Sequence, residues 1–332
     1  MKKYILVLTL IVFVLAMTVA QASDDNMLVL KSVDNAATIY VQTNANFDLE
    51  LWQEEMSEEV AGYQTFLEFD SDMLSIEADN ITLTGTPFGL PIRKVVVDDY
   101  INLAAGLNPM SDPAQSPTDA DAKLGTLTFK AGTTEGTTQV VFRDNNPPTR
   151  FTTINGVADE ALTVDGPFIV IAGTKPTGTI KINNDATYTA STSVTLTLDA
   201  SDALSGLASM RFSNDETTWS AWEPYATSAS WTLASVDGLK TVYVQFMDKA
   251  GNVSDAVSDT ITLDMVAPSG TIVINSDADY TNSKAVTLTL NASDTTSGMD
   301  EMQFSNDDNT WSEWEEYAAS KSWNLDDTED GL

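Results

Sequence analysis

The chain has 332 residues, no Cys and no His, and its 16 Lys and Arg stand against 49 Asp and Glu for a net charge of −33. Without His or Cys there is no Ser-His-Asp triad, no Cys-His pair, no disulfide and no ordinary His/Cys zinc site. A field of this sign repels nucleic-acid phosphates and anionic membranes, which argues against both as partners, and it draws in cations such as calcium.

The first residues read as a targeting segment. Met1-Lys-Lys supplies a positive start, Tyr4 to Val19 is an apolar run, and Ala20-Gln-Ala22 precedes the polar Ser23-Asp-Asp. A transmembrane anchor could share this length, but the small-x-small cleavage motif favours a removable signal peptide over residues 1–22. The mature chain is then secreted, with no membrane insertion after cleavage.

Residues 23–173 read as one all-β domain of short strands between turn residues. Candidate strands are Met27 to Val33, Ala37 to Gln42 and Phe47 to Trp52, then Asn80 to Thr84, Lys94 to Val97 and Tyr100 to Ala104. Met110 to Ala122 reads as a surface loop. Lys123 to Lys130, Gln139 to Arg143, Phe151 to Gly156 and Phe168 to Ala172 complete the set. The one helical hint, the acidic run Glu54 to Glu59, is too short to hold a helix. The clearest strand runs from Ala61 to Phe69. Its period of two predicts Tyr63, Thr65, Leu67 and Phe69 in the core and Gln64, Phe66 and Glu68 on the opposite face. Asp70-Ser-Asp then turns the chain, and Met73, Leu74 and Ile76 return to the core.

Four motifs in this domain carry a family resemblance. They are Val60-Ala-Gly-Tyr-Gln64, Leu67-Glu-Phe-Asp70 followed by Asp72-Met-Leu74, Lys123-Leu-Gly-Thr-Leu-Thr-Phe-Lys-Ala131, and Gly136-Thr-Thr-Gln-Val-Val-Phe142. In this order they resemble the cohesins, receptor modules for dockerin-bearing proteins in cellulosome-like assemblies. The resemblance implies a nine-stranded jelly-roll sandwich, and dockerin-bearing proteins as partners. It also implies a partner-binding face at Gly62, Gln64, Phe66 and Glu68. Many cohesins carry Asn and Asp where this chain has Gly62 and Gln64. Phe66 is apolar where solvent is expected, so it reads either as an exposed hot-spot ring or as a residue beneath a loop or neighbouring domain.

Residues 174–332 contain a repeat with an offset of 92. Pro176-Thr-Gly-Thr-Ile-Lys-Ile-Asn183 returns as Pro268-Ser-Gly-Thr-Ile-Val-Ile-Asn275, and Trp219-Ser-Ala-Trp-Glu-Pro-Tyr225 returns from Trp311 with both indoles and the Tyr kept. Units of this length with alternating strands predict Ig-like sandwiches, and they resemble the bacterial and archaeal Ig-like repeats of multidomain surface proteins. The expected architecture is a jelly-roll β-sandwich followed by tandem Ig-like β-sandwiches over 174–267 and 268–332. The last is truncated, because nothing answers to Lys240 to Asp248 and Thr260 to Asp264. The expectation is a fragment of a longer protein, with surface attachment through a missing C-terminal part.

Three further residue sets compete with plainer readings. Trp219, Trp222 and Tyr225, with Trp311, Trp314 and Tyr317, read either as a carbohydrate platform or as core aromatics, and their repetition favours core. Asp202, Asp215 and Asp248, with Asp199 and Asn252, offer oxygens for calcium, but Asp and Asn in turns ordinarily cap their own backbone. Glu54-Glu55 and Glu58-Glu59 are neighbours on one segment and cannot face each other across a glycosidase cleft. The expectation is a non-catalytic extracellular scaffold capturing dockerin-type modules, in polysaccharide degradation or cell-surface assembly. Direct polysaccharide binding by the jelly roll and a structural stalk or adhesin are the alternatives.

Overall fold

The computed structural model describes residues 26–84, 87–108, 110, 115–143, 148–154 and 158–326. The expected signal peptide over residues 1–22 and the stop at Gly331-Leu332 lie outside the described residues. The chain divides into two compact units, one ending at Ile171 and one beginning at Ala172.

Both units are all-β. The first contains β1 (Met27–Ser32), β2 (Thr38–Gln42), β3 (Asn46–Glu54), β4 (Val60–Glu68), β5 (Leu74–Ser75), β6 (Ile81–Leu83), β7 (Leu90–Val97) and β8 (Tyr100–Gly106). It continues with β9 (Ala122–Ala131), β10 (Gly136–Gln139), β11 (Val141–Phe142), β12 (Arg150–Thr153), β13 (Ala158–Glu160), β14 (Leu162–Val164) and β15 (Phe168–Ala172). One sheet runs β14-β1-β3-β9-β5, with β6 also on β9. Another runs β13-β12-β4-β8-β7, with β11 also on β4, and a small sheet runs β10-β15-β2. Neighbours far apart in sequence, such as β3 with β9 and β4 with β8, are what jelly-roll crossovers require.

Alternation decides what each strand buries. On β9, Leu127, Phe129 and Ala131 turn inward, and on β4 so do Tyr63, Thr65 and Leu67. They meet in one core with Leu49 and Leu51 of β3, Ile101 and Leu103 of β8 and Ile171 of β15. Thr65, fully buried, satisfies its hydroxyl against Thr149 at 3.1 Å. Phe129 stacks on Phe47 at 5.7 Å and meets the edge of Phe69 at 5.6 Å.

β7 begins four residues before the expected Lys94 and includes Pro91. A proline lacks the amide a central strand must donate, but β7 lies at the end of its sheet and shifts register between Pro91 and Arg93. A period-two reading stops at such a bulge.

Tyr63 is buried, and its hydroxyl has no hydrogen-bond partner among the described residues. Its ring lies 5.8 Å from that of Phe88, and burial pushes its phenol pKa up. An unpaired buried hydroxyl costs stability, so Tyr63→Phe should match the parent or exceed it by about 1 kcal/mol. Urea midpoints check this, and a clear loss of stability would mean the hydroxyl has a partner.

The second unit holds β16 (Thr177–Ile182), β17 (Tyr188–Thr189), β18 (Ser193–Ser201), β19 (Leu207–Ser213), β20 (Glu223–Pro224), β21 (Ser228–Thr232), β22 (Gly238–Asp248) and β23 (Val257–Leu263). Then come β24 (Ser269–Ile274), β25 (Ala285–Ser293), β26 (Glu301–Met302), β27 (Glu315–Glu316) and β28 (Ser320–Asn324). In the first copy, β16-β18-β21 faces β17-β23-β22-β19-β20 around Ile182, Leu196, Phe212, Val244 and Phe246. In the second, β24-β25-β28 and β26-β27 share a smaller core of Val286, Leu288 and Phe304. Ile180 and Ile182 are buried, whereas their copies Ile272 and Ile274 are 55% and 46% exposed. Among the described residues no strand matching β22 or β23 follows β28.

Candidate functional site

The expected partner face is the side of β4 opposite the core. In an antiparallel sheet, directly paired residues share a face, so the register builds this surface row by row. One row reads Arg150 on β12, Gln64 on β4, Ala104 on β8 and Arg93 on β7. The next reads Thr152, Gly62, Gly106 and Leu90. On the other side come Phe66, Asn102 and Val95, and then Val141, Glu68, Tyr100 and Val97.

The middle of this face is low. Gly62, Ala104 and Gly106 are buried, and a methyl at Gly62 would sit 2.7 Å from the carbonyl oxygen of Ala105. Gly62 thus exists to let β4 and β8 approach. The rim is tall: Leu90 is 46% exposed, Ile92 69%, and Arg93 and Arg150 are both exposed. Arg143 adds a third cation, 2.9 Å from Glu68 and 5.5 Å from the Tyr100 ring centre. Three of the four arginines in this acidic chain therefore border one sheet face.

The face corrects part of the sequence-level expectation. Phe66 is 4% exposed and is not an open hot-spot ring; of its two readings, the covered one is what the structure holds. Gly62 is enclosed as well. Gln64 and Glu68 are half-buried and reach the surface, with Gln64 donating to Asn102 at 3.5 Å. Leu90, Ile92, Arg93 and Arg150 were missed. The scarcity of arginine in so acidic a sequence was the available signal.

The carboxylates proposed for calcium are spread over separate turns, each bonded to its own backbone. Asp202 accepts the amides of Ser205 and Gly206, both at 2.8 Å. Asp248, buried, accepts Asn252 through the amide at 2.7 Å and the side chain at 2.8 Å. Asp215 accepts the amides of Thr218 at 2.6 Å and Thr217 at 2.8 Å, which with the Ser213 hydroxyl hold it well below the usual carboxylate range. Among the described residues no three acidic side chains converge on a metal-sized point.

The copy of Asp215, Asp307, is held at about 2 by Thr310, Asn309 and Ser305. A depressed carboxylate contributes stability that is complete above the unfolded value near 3.8 and is lost as pH falls through about 2. The stability gap between the parent and Asp307→Asn should therefore be flat above about pH 4 and close toward pH 2. Thermal melts across that range test this; a gap widening on acidification would contradict it.

The repeated aromatics divide by type. Tyr225 and Tyr317 belong to the fold: their hydroxyls accept the amides of Ala200 at 3.2 Å and Ala292 at 3.1 Å. The Trp219 and Trp222 indoles are half-buried around Arg211, not in the core, while Trp311 and Trp314 are 49% and 58% exposed. In the first unit a cavity of about 460 Å³ is lined by Asn44, Asn46, Ser75, Ile76, Glu77, Asn80 and Lys130, with no aromatic ring.

No family model matches the chain, and no curated protein matches it. Solved structures do. A type I cohesin–dockerin complex from Clostridium thermocellum is 11% identical and covers 46% of this chain and 98% of that one, with a TM-score of 0.36. The seventh type I cohesin of a Pseudobacteroides cellulosolvens scaffold protein is 13% identical, covering 45% and 93%, with a TM-score of 0.35. A non-cellulosomal cohesin from Archaeoglobus fulgidus is 12% identical, covering 45% and 91%, with a TM-score of 0.32. These three solved structures, each covering less than half of this chain, are cohesins or cohesin complexes.

Proposed function

We propose that the chain is a non-catalytic extracellular scaffold whose first unit captures a dockerin-type module, with the Ig-like sandwiches as spacers. The outer face of β12-β4-β8-β7 carries this reading. It combines exposed Leu90 and Ile92 with the arginines at 93 and 150 along the β7 and β12 edges. Apolar anchors flanked by arginine are the composition of a protein-binding surface. The class of partner rests on the four cohesin-like motifs between Val60 and Phe142, two of which form β4 and β9. A role in polysaccharide degradation or cell-surface assembly follows from that class.

The full chain, immobilised, should retain dockerin-bearing proteins in the presence of calcium. If it retains none of them and is instead retarded in a gel containing soluble polysaccharide, the jelly roll binds sugar directly and the scaffold reading is lost.

A further inference from the structure

The stretch between the two repeats is tied down at successive residues. β23 ends at Leu263, and the next residue, Asp264, is 8% exposed. Its amide donates to the Thr189 carbonyl at 2.9 Å, which seats it in the first repeat. The amide of Met265 donates to Asp237 at 3.1 Å, and that of Val266 to Asp264 Oδ1 at 3.2 Å. The other carboxylate oxygen, Oδ2, reaches into the second repeat and accepts the amide of Ser297 at 3.0 Å. One side chain thus holds its own linker with one oxygen and the next repeat with the other.

The loop it reaches is built alike in both repeats, so Asp264 is an addition to that loop and not a part of it. In the first repeat Asp202 accepts the amides of Leu204 at 3.2 Å and of Ser205 and Gly206 at 2.8 Å. In the second, Asp294 accepts those of Thr296 and Ser297 at 2.9 Å and of Gly298 at 3.2 Å. Both loops end on a left-handed glycine, Gly206 at φ 75° and Gly298 at φ 78°, a conformation glycine adopts at no steric cost. The loop after β25 is therefore shaped by its own residues. What differs is the residue ahead of each repeat. At the offset of 92, Ala172 stands where Asp264 does, and it has no carboxylate to give.

The rest of the linker leaves little to turn about. Pro268 fixes its own φ and keeps Ala267 out of helical backbone. Met265 and Val266 are already bonded through their amides. Across this short stretch a hydrogen bond to an ionised acceptor, about twice as strong as a neutral one, selects a single arrangement.

We propose that Asp264 latches the second repeat onto the first, so that the tandem turns as one body. A latched joint transmits direction, where a free linker supplies only reach. The joint lies wholly within the second unit, and its latching does not depend on what the first unit binds.

The chain has no Cys, so two spin labels can be placed on it without background. Thr195→Cys on β18 and Thr287→Cys on β25 take equivalent exposed positions, one in each repeat. Double electron–electron resonance on the full chain should give one narrow distance distribution. Asp264→Ala should broaden it, the ratio of latched to unlatched molecules falling about tenfold or more, the worth of a charged hydrogen bond. Asp264→Ser guards against a merely unfolded variant. Its hydroxyl still accepts the Val266 amide two residues on, but its single oxygen on a shorter arm gives up Ser297. It should broaden the distribution as alanine does while the circular dichroism spectrum stays that of the parent. A broad distribution in the parent, or one as narrow as the parent's in Asp264→Ser, overturns the proposal.

Discussion

Phe246→Ala should cost the first Ig-like sandwich about 3–5 kcal/mol, much of the stability such a domain has. Phe246 is fully buried near the C-terminal end of β22, its amide donates to Ser254 at 2.9 Å, and its ring meets that of Tyr225 at 6.0 Å and 73°. Against its other side lies Gly178, where an added methyl would stand 2.6 Å from the Phe246 ring and 2.7 Å from Ala200 Cβ. Ring and missing side chain are therefore one packing solution. Gly178→Ala alone should cost about 1–3 kcal/mol by overpacking. The two changes should add less than fully, because removing the ring relieves one of three close contacts of the methyl, while Ala200 Cβ at 2.7 Å and the Asp199 carbonyl oxygen at 2.8 Å remain. Urea unfolding of the full chain reads both, with the separate core of the first unit as internal control. Costs that sum would show that Gly178 is constrained by Ala200 and the backbone and not by the ring.

What could be read from the residues depended on how local the cause was. Tyr63, Thr65, Leu67 and Phe69 were assignable to the core because alternation along a single strand decides them, and all four are buried. The turns of Asp202, Asp215 and Asp248 follow from carboxylates reaching amides two to four residues on, which is also local chemistry. Phe66 has the opposite parity and is buried anyway, because an outer sheet face can itself be covered. Arg93 and Arg150 share a row only after β12, β4, β8 and β7 are placed side by side, and no pattern along the chain announces that pairing. The stacking of Arg211 on Trp219 and Trp222 joins β19 to loop residues eight and eleven positions on, and only the placed guanidinium shows it.

The double change Arg93→Glu with Arg150→Glu should abolish partner capture by the first unit while leaving its fold intact. Both side chains are exposed, and surface substitutions of this kind ordinarily move stability by no more than about 0.5 kcal/mol. Adjacent strands lie about 4.8 Å apart, so the two arginines, three strands apart, span roughly 14 Å of the proposed partner face. Arginine is enriched among interface hot spots, each worth about 2 kcal/mol or more, and reversal of flanking charges also slows association, so the pair should weaken capture by about 100-fold or more. Reversal should exceed neutralisation to Gln, because it adds like-charge repulsion against any acidic partner group. Gln64→Ala, in the same row, should do less, and Phe66→Ala should lower stability, since its ring is covered in the free chain. Surface plasmon resonance at two salt concentrations separates these effects. The parent's association rate should fall with salt, while the doubly reversed variant should show no specific association at either concentration. Unchanged capture by that variant would move the partner site off this sheet face.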